Sequence, residues 1–134
     1  MNRASLERAV QELSESLGYP FHSAPEAYMA RQIGSLPAAW LLPVQLHAVE
    51  GTRHGRVSYD LTLHLLDRGI SLPPADRSRR WDEMEHDALE LFTRLTEAPC
   101  VVAVENLTLR PRTYALTNHG EIALTATARV ITCF

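Results

Sequence analysis

Glu83 and His86 lie one helical turn apart, and a carboxylate and an imidazole at i and i+3 can share a metal ion when other helices supply further ligands. Asp82 and Asp87 flank the pair, but the chain contains no second Glu-x-x-His and no supporting series of glutamates, so this segment reads as the solvated acidic face of a helix. Six histidines, His22, His47, His54, His64, His86 and His119, offer candidate general bases. Ser58, Asp60, Thr62 and His64 alternate along one strand-like run and share its face. Neighbours two apart on a strand stand about 7 Å from each other, beyond a nucleophile–base hydrogen bond, and no GxSxG elbow accompanies them. Phosphate cradling has no support either, because neither GxGxxG nor the GxxxxGK of a phosphate loop occurs. Cys100 and Cys133 are far apart in sequence, lack CxxC or Cys/His spacing, and read as buried thiols rather than zinc ligands. These patterns predict no catalytic residue, no metal and no cofactor, and the chain is expected not to be an enzyme.

The basic residues are the more informative set. All 13 are arginine, against 16 acidic residues, for a net charge of −3. A nucleic-acid binder normally carries a basic excess, so specific nucleic-acid binding is not expected. All-arginine usage reads either as a codon-composition bias or as a choice of the planar fork that suits bidentate ion pairs at subunit interfaces. Arg77, Arg79 and Arg80, with Arg53 and Arg56 in a turn-bounded run, are the candidate contacts to an acidic partner or to another copy of the chain.

The elements that would position these residues follow from the pattern of apolar side chains. The chain has 134 residues, 46% hydrophobic and 22% charged, which predicts one globular domain spanning residues 1–134 with a core of its own. Its apolar runs are too short to span a membrane, and its acidic, amphipathic start lacks a secretory apolar centre, so a cytoplasmic protein is expected. Leu6, Val10, Leu13 and Leu17 recur at helical spacing between Asn2, a good N-cap, and Gly18, a good stop. Ser23 and Glu26 have capping-box spacing, and the residues from there to about Gln32 read as either a short helix or a loop. Ala39 to Val49 reads as a strand with Trp40, Leu42, Val44 and Leu46 on one face and Pro43 marking an edge or bulge. Glu50 to Gly55 turns the chain into Val57, Tyr59, Leu61, Leu63 and Leu65, a clear period of two. Asp67 to Arg80 has loop composition. Trp81, Met84, Ala88, Leu91, Phe92 and Leu95 mark a second amphipathic helix ended by Pro99, with Trp81 in the core. Val101, Ala103, Glu105, Leu107 and Leu109 alternating into Tyr114 and Leu116, a turn at Asn118, His119 and Gly120, and Ile122 to Ile131 form a second hairpin. Asn106, Thr108, Arg110, Thr113, Thr117, Thr125, Thr127 and Arg129 make its polar face, and the uncharged stretch Ile122 to Ala128 reads as an edge open to assembly. The expected fold is α+β: a mostly antiparallel four-stranded sheet of two hairpins, with two main helices packed on one face.

The size, the helix–hairpin–helix–hairpin order, the long loop before the Trp81 helix and the closing strand together resemble the phage tail-terminator and tail-completion proteins. The resemblance implies a structural protein of a phage or prophage tail, working in the bacterial host and in the virion. Its copies would form a homo-oligomeric ring of about six at the tail end or head–tail junction. It implies other tail or connector proteins as partners, no membrane, and contacts through the loops Glu50 to Gly55 and Asp67 to Arg80, with arginines pairing to Asp and Glu across subunits. The alternative function is a small ligand- or protein-binding module of a bacterial mobile element.

Overall fold

The computed structural model describes residues 2–99, 101–112, 115–117 and 119–134. Helix α1, Arg3–Ser16, starts where Asn2 Oδ1 accepts hydrogen bonds from the Ser5 amide at 2.9 Å and the Ser5 hydroxyl at 2.8 Å. It ends as Gly18, at φ +92°, lets the chain reverse and return amide hydrogen bonds to the last-turn carbonyls. Strand β1, Phe21–Ser23, a 3₁₀ turn, Glu26–Tyr28, and a four-residue helix α2, Met29–Gln32, follow. The capping box does not form: Pro25 stands at the N-cap position, with no side-chain cap hydrogen bond to the turn.

The expected single strand from Ala39 to Val49 is two strands, β2, Ala38–Leu41, and β3, Gln45–Gly51. Pro43 has no N–H for a ladder, and the chain changes course around it. Both strands pair antiparallel with β4, Gly55–Arg68, whose 14 residues are long enough to serve them in turn. β3 takes residues 55–60 and β2 takes residues 63–66. All four residues of β2 are buried because the strand is covered on both faces.

Of the expected loop Asp67 to Arg80, only residues 69–73 connect elements without helix or strand. β4 continues through Arg68, and helix α3, Pro74–Leu95, begins with Pro74 at its first position, where a fixed φ and a missing N–H cost nothing. Arg77, Arg79 and Arg80 therefore sit on the first two turns of a helix. Strands β5, Val101–Pro111, and β6, Glu121–Cys133, complete the sheet.

Among the described residues, the sheet has six strands in the order β1-β2-β4-β6-β5, with β3 also on β4. It is mixed, since β1 runs parallel to β2. The expected antiparallel strands are all within it, and β1 and the splitting of β2 from β3 are the additions. β6 lies between β4 and β5, so the uncharged stretch Ile122 to Ala128 is interior to the sheet and is not an edge. Its neutrality reflects burial between neighbours.

One face of the sheet carries the main core. Tyr59, Leu61, Leu63 and Leu65 of β4 and Leu124, Ala126, Ala128 and Val130 of β6 meet Leu6 and Val10 of α1 and Met84, Ala88, Leu91, Phe92 and Leu95 of α3. Each fully buried leucine contributes roughly 2 kcal/mol through loss of its water contact. The opposite face is also covered at one end, by the 3₁₀ turn and α2, where Met29 and Ile33 pack with Ala38, Trp40, Leu66 and Ala123. A third helix on the second face is the other departure from the expected fold. Among the described residues, no helix is long and apolar enough to cross a membrane.

Candidate functional site

The five candidate arginines occupy three different settings. Arg53, in the β3–β4 turn, and Arg56, at the start of β4, are exposed. Arg77 braces the turn before α3, its Nε donating to the Gly69 carbonyl at 3.1 Å and its Nη2 to the Leu72 carbonyl at 3.2 Å. Arg79 is well exposed and lies 3.5 Å from Asp76 on its own helix. Arg80 is the hub of an internal network. Its Nε donates to Asp67, its Nη1 to Glu83 at 3.1 Å, and its Nη2 to the Tyr19 hydroxyl at 3.0 Å, with Asp87 3.8 Å away. The Tyr19 hydroxyl donates in turn to Asp87 at 2.6 Å. Burial raises the Tyr19 pKa above the ordinary phenol value, and donation to Asp87 adds to the effect.

The same network engages the carboxylates beside His86. Glu83 is turned to Arg80, Asp87 is committed to Tyr19 and Arg80, and His86 is exposed. Among the described residues, no group of three or more His, Cys, Asp or Glu side chains could hold a metal ion. Cys133 is half-buried, and Cys100 lies outside the described residues, as do Thr113, Tyr114 and Asn118 of the expected second hairpin and turn.

Ser58, Asp60, Thr62 and His64 do share one face of β4, but their surroundings differ. Asp60 lies on the open half of that face, with Arg129 Nε donating to it at 3.0 Å and His47 Nδ1 3.6 Å away. His64 lies under the 3₁₀ turn with no exposed surface. Its partner is a residue on the next strand: Thr125, its register neighbour on β6, with Oγ1 2.7 Å from His64 Nδ1. Arg112 Nε donates to the same Thr125 oxygen at 2.8 Å, and the hydroxyl's remaining lone pair or its hydrogen meets Nδ1 according to the ring tautomer. Nε2 has no hydrogen-bond partner among the described residues and faces Glu26 at 3.7 Å. Burial lowers the His64 pKa from 6.5 to about 4, and the nearby positive charge of Arg112 pushes it the same way.

Hydroxyl, imidazole and carboxylate stand in the order that would activate a nucleophile, but the ring is sealed from solvent and held neutral and weakly basic. In this arrangement the cluster fastens the 3₁₀ turn and the end of β5 to the sheet. Sequence reading missed it because Glu26, His64, Arg112 and Thr125 come together only through strand register and the packing of the 3₁₀ turn on the sheet. The alternation that put His64 on the polar face of β4 was the one available signal.

The open surfaces are at the sheet's two edges. Every residue of β3 except Ala48 is exposed, including Leu46 and Val49. At the other edge, β5 carries two bulges and Asn106 at φ +55°, and with α3 it borders a shallow groove. A second groove runs between α1 and the end of α3, past Ala9, Leu13, Arg94 and Ala98. The sequence matches no protein-family model and no curated protein.

Proposed function

We propose that this chain is a structural assembly protein of a phage or prophage tail, whose copies join into a ring at the tail end or head–tail junction. The observation that carries the reading is the β3 arm: a strand held by one neighbour, uncovered on both faces, and bearing two exposed aliphatic side chains. An exposed strand edge of this kind is a template for contact with another chain unless it is blocked by charge, proline or a neighbouring segment. β3 has a single bulge, near His47, and its only charged residue is Glu50 at the end of the strand. β5, by contrast, is interrupted by two bulges. The order of helix, hairpin, helix and hairpin agrees with the tail-terminator layout. Of the five candidate arginines, Arg53, Arg56 and Arg79 are available to neighbouring tail or connector proteins, since Arg80 and Arg77 are engaged within the chain.

The alternative, a small ligand- or protein-binding module, draws support from the groove between α1 and the end of α3. Light scattering across a concentration series, followed by negative-stain imaging of the largest species, separates the two. Tail-ring assembly predicts a discrete closed species of about six copies. A chain that stays at its monomer mass of 15.0 kDa at every concentration overturns the ring and favours the binding module.

A further inference from the structure

Leu46 and Val49 are 52% and 55% exposed. Leu46 is paired with Tyr59 and Val49 with Val57, and directly paired residues point to the same side of a sheet. Tyr59 belongs to the main core and Val57 packs against it. The two exposed side chains thus extend the apolar surface of the helix-bearing face past the point where its cover ends. At the opposite edge of the sheet, the groove between α3 and β5 is lined by Leu89, Phe92, Thr93, Thr96, Val104 and Leu107. Leu89 is 51% exposed, and Val104 pairs with the core residue Val130, so this groove opens on the helix-bearing face as well. The charges are complementary. Arg53 is exposed at the tip of the arm, and Asp82 and Glu85 are exposed two turns and one turn before Leu89 on the same stripe of α3.

We propose that the β3 arm of one copy seats Leu46 and Val49 in the α3–β5 groove of the next copy, with Arg53 facing Asp82 and Glu85. The proposal rests on the assembly reading above and names the surfaces that would carry it. Donor and acceptor are different patches at opposite edges of the sheet, so the contact is heterologous, the kind that propagates head to tail and closes into a ring when the rotation between copies allows. Apolar burial supplies the attraction and the arginine sets the orientation.

A double variant, Leu46→Asp with Val49→Asp, disables the arm, and Leu89→Asp disables the groove. All three side chains are more than half exposed, so the circular dichroism spectrum should be unchanged. In sedimentation velocity the wild-type chain is expected to assemble and each variant alone to fall to the 15.0 kDa chain mass. An equimolar mixture of the two variants retains one intact arm and one intact groove, and is expected to give a species of twice the chain mass and nothing larger. Formation of that species also shows that both variants are folded. Variants that assemble like wild type overturn the arm–groove contact and leave assembly itself standing. A mixture that stays at the chain mass overturns the head-to-tail pairing. A wild-type chain that never exceeds the chain mass overturns both this contact and the ring.

Discussion

Arg80 ties together three stretches that are distant in sequence: Asp67 at the end of β4, Asp87 on α3, and Tyr19 between α1 and β1. Its side chain is 19% exposed and Asp67 is 13% exposed, so removing the cation strands carboxylates that water reaches poorly. Arg80→Met is expected to lower stability by about 2–4 kcal/mol, and Arg80→Lys to recover little of it, because an ammonium lacks the fork that reaches several partners at once. Urea midpoints of the two variants check this, and a midpoint equal to wild type would show that the network contributes nothing. His64 makes a prediction about pH. Its pKa is lowered from 6.5 to about 4, so between those values the unfolded chain binds a proton that the folded chain excludes. Stability from this group is therefore complete above pH 6.5 and falls as the pH drops, with the full loss of about 3 kcal/mol reached below about pH 4. Glu121 adds a loss of the same sign in acid. Burial works against its charged form, but hydrogen bonds from the Thr117 hydroxyl and the amides of Leu116 and Thr117 outweigh that and hold its carboxyl below the ordinary range. His64→Gln should flatten the decline between pH 6.5 and 4 relative to wild type. An unchanged slope in unfolding midpoints measured across that range would mean His64 titrates normally.

At the scale of elements, the two tryptophans have exchanged importance relative to the sequence pattern. Trp81 was placed in the core by its helical stripe, but it lies near the start of α3 and is half-buried against the main cluster. Trp40 is fully buried, donates from Nε1 to the Ala24 carbonyl at 2.8 Å, and stacks on His22. It is the side chain on which the 3₁₀ turn and α2 settle. Trp40→Ala is expected to cost about 3–5 kcal/mol through the cavity it leaves, and Trp81→Ala about 1–2 kcal/mol. Thermal unfolding of the two variants checks the order, and a Trp81 variant as unstable as the Trp40 variant would reverse it. Periodicity could not rank them, because it reports which stripe a residue occupies and not how far the covering layer extends.

At the scale of the whole molecule, the two hydrophobic clusters lie on opposite faces of one sheet and meet at adjacent residues, Leu65 in the first and Leu66 in the second. Shared strands couple them, so denaturation should be a single cooperative transition in which tryptophan fluorescence and circular dichroism coincide. An earlier fluorescence transition would show that the turn and α2 melt independently of the main core. If copies assemble, the midpoint should also rise with protein concentration.

Helices α1 and α3, the β3–β4 hairpin and the closing strand were legible in the chain alone, because each carries a period of 3.6 or 2 together with a local start or stop such as Asn2, Gly18 or the turn before Gly55. Even the second face of β4 could be read as far as its polar alternation. The parting of β2 from β3, the parallel pairing of β1 and the helical state of Arg77 to Arg80 were settled by which strand had a free neighbour and by a proline compatible with a helix start, neither of which leaves a periodic trace. The networks around Arg80 and His64 are more remote still, since their members stand between 3 and 99 residues apart and meet through packing and register. Local sequence sets the elements because their hydrogen bonds and apolar stripes are short-range; which polar groups share a site, and which apolar ones are left uncovered, depends on distances that exist only once the sheet has closed.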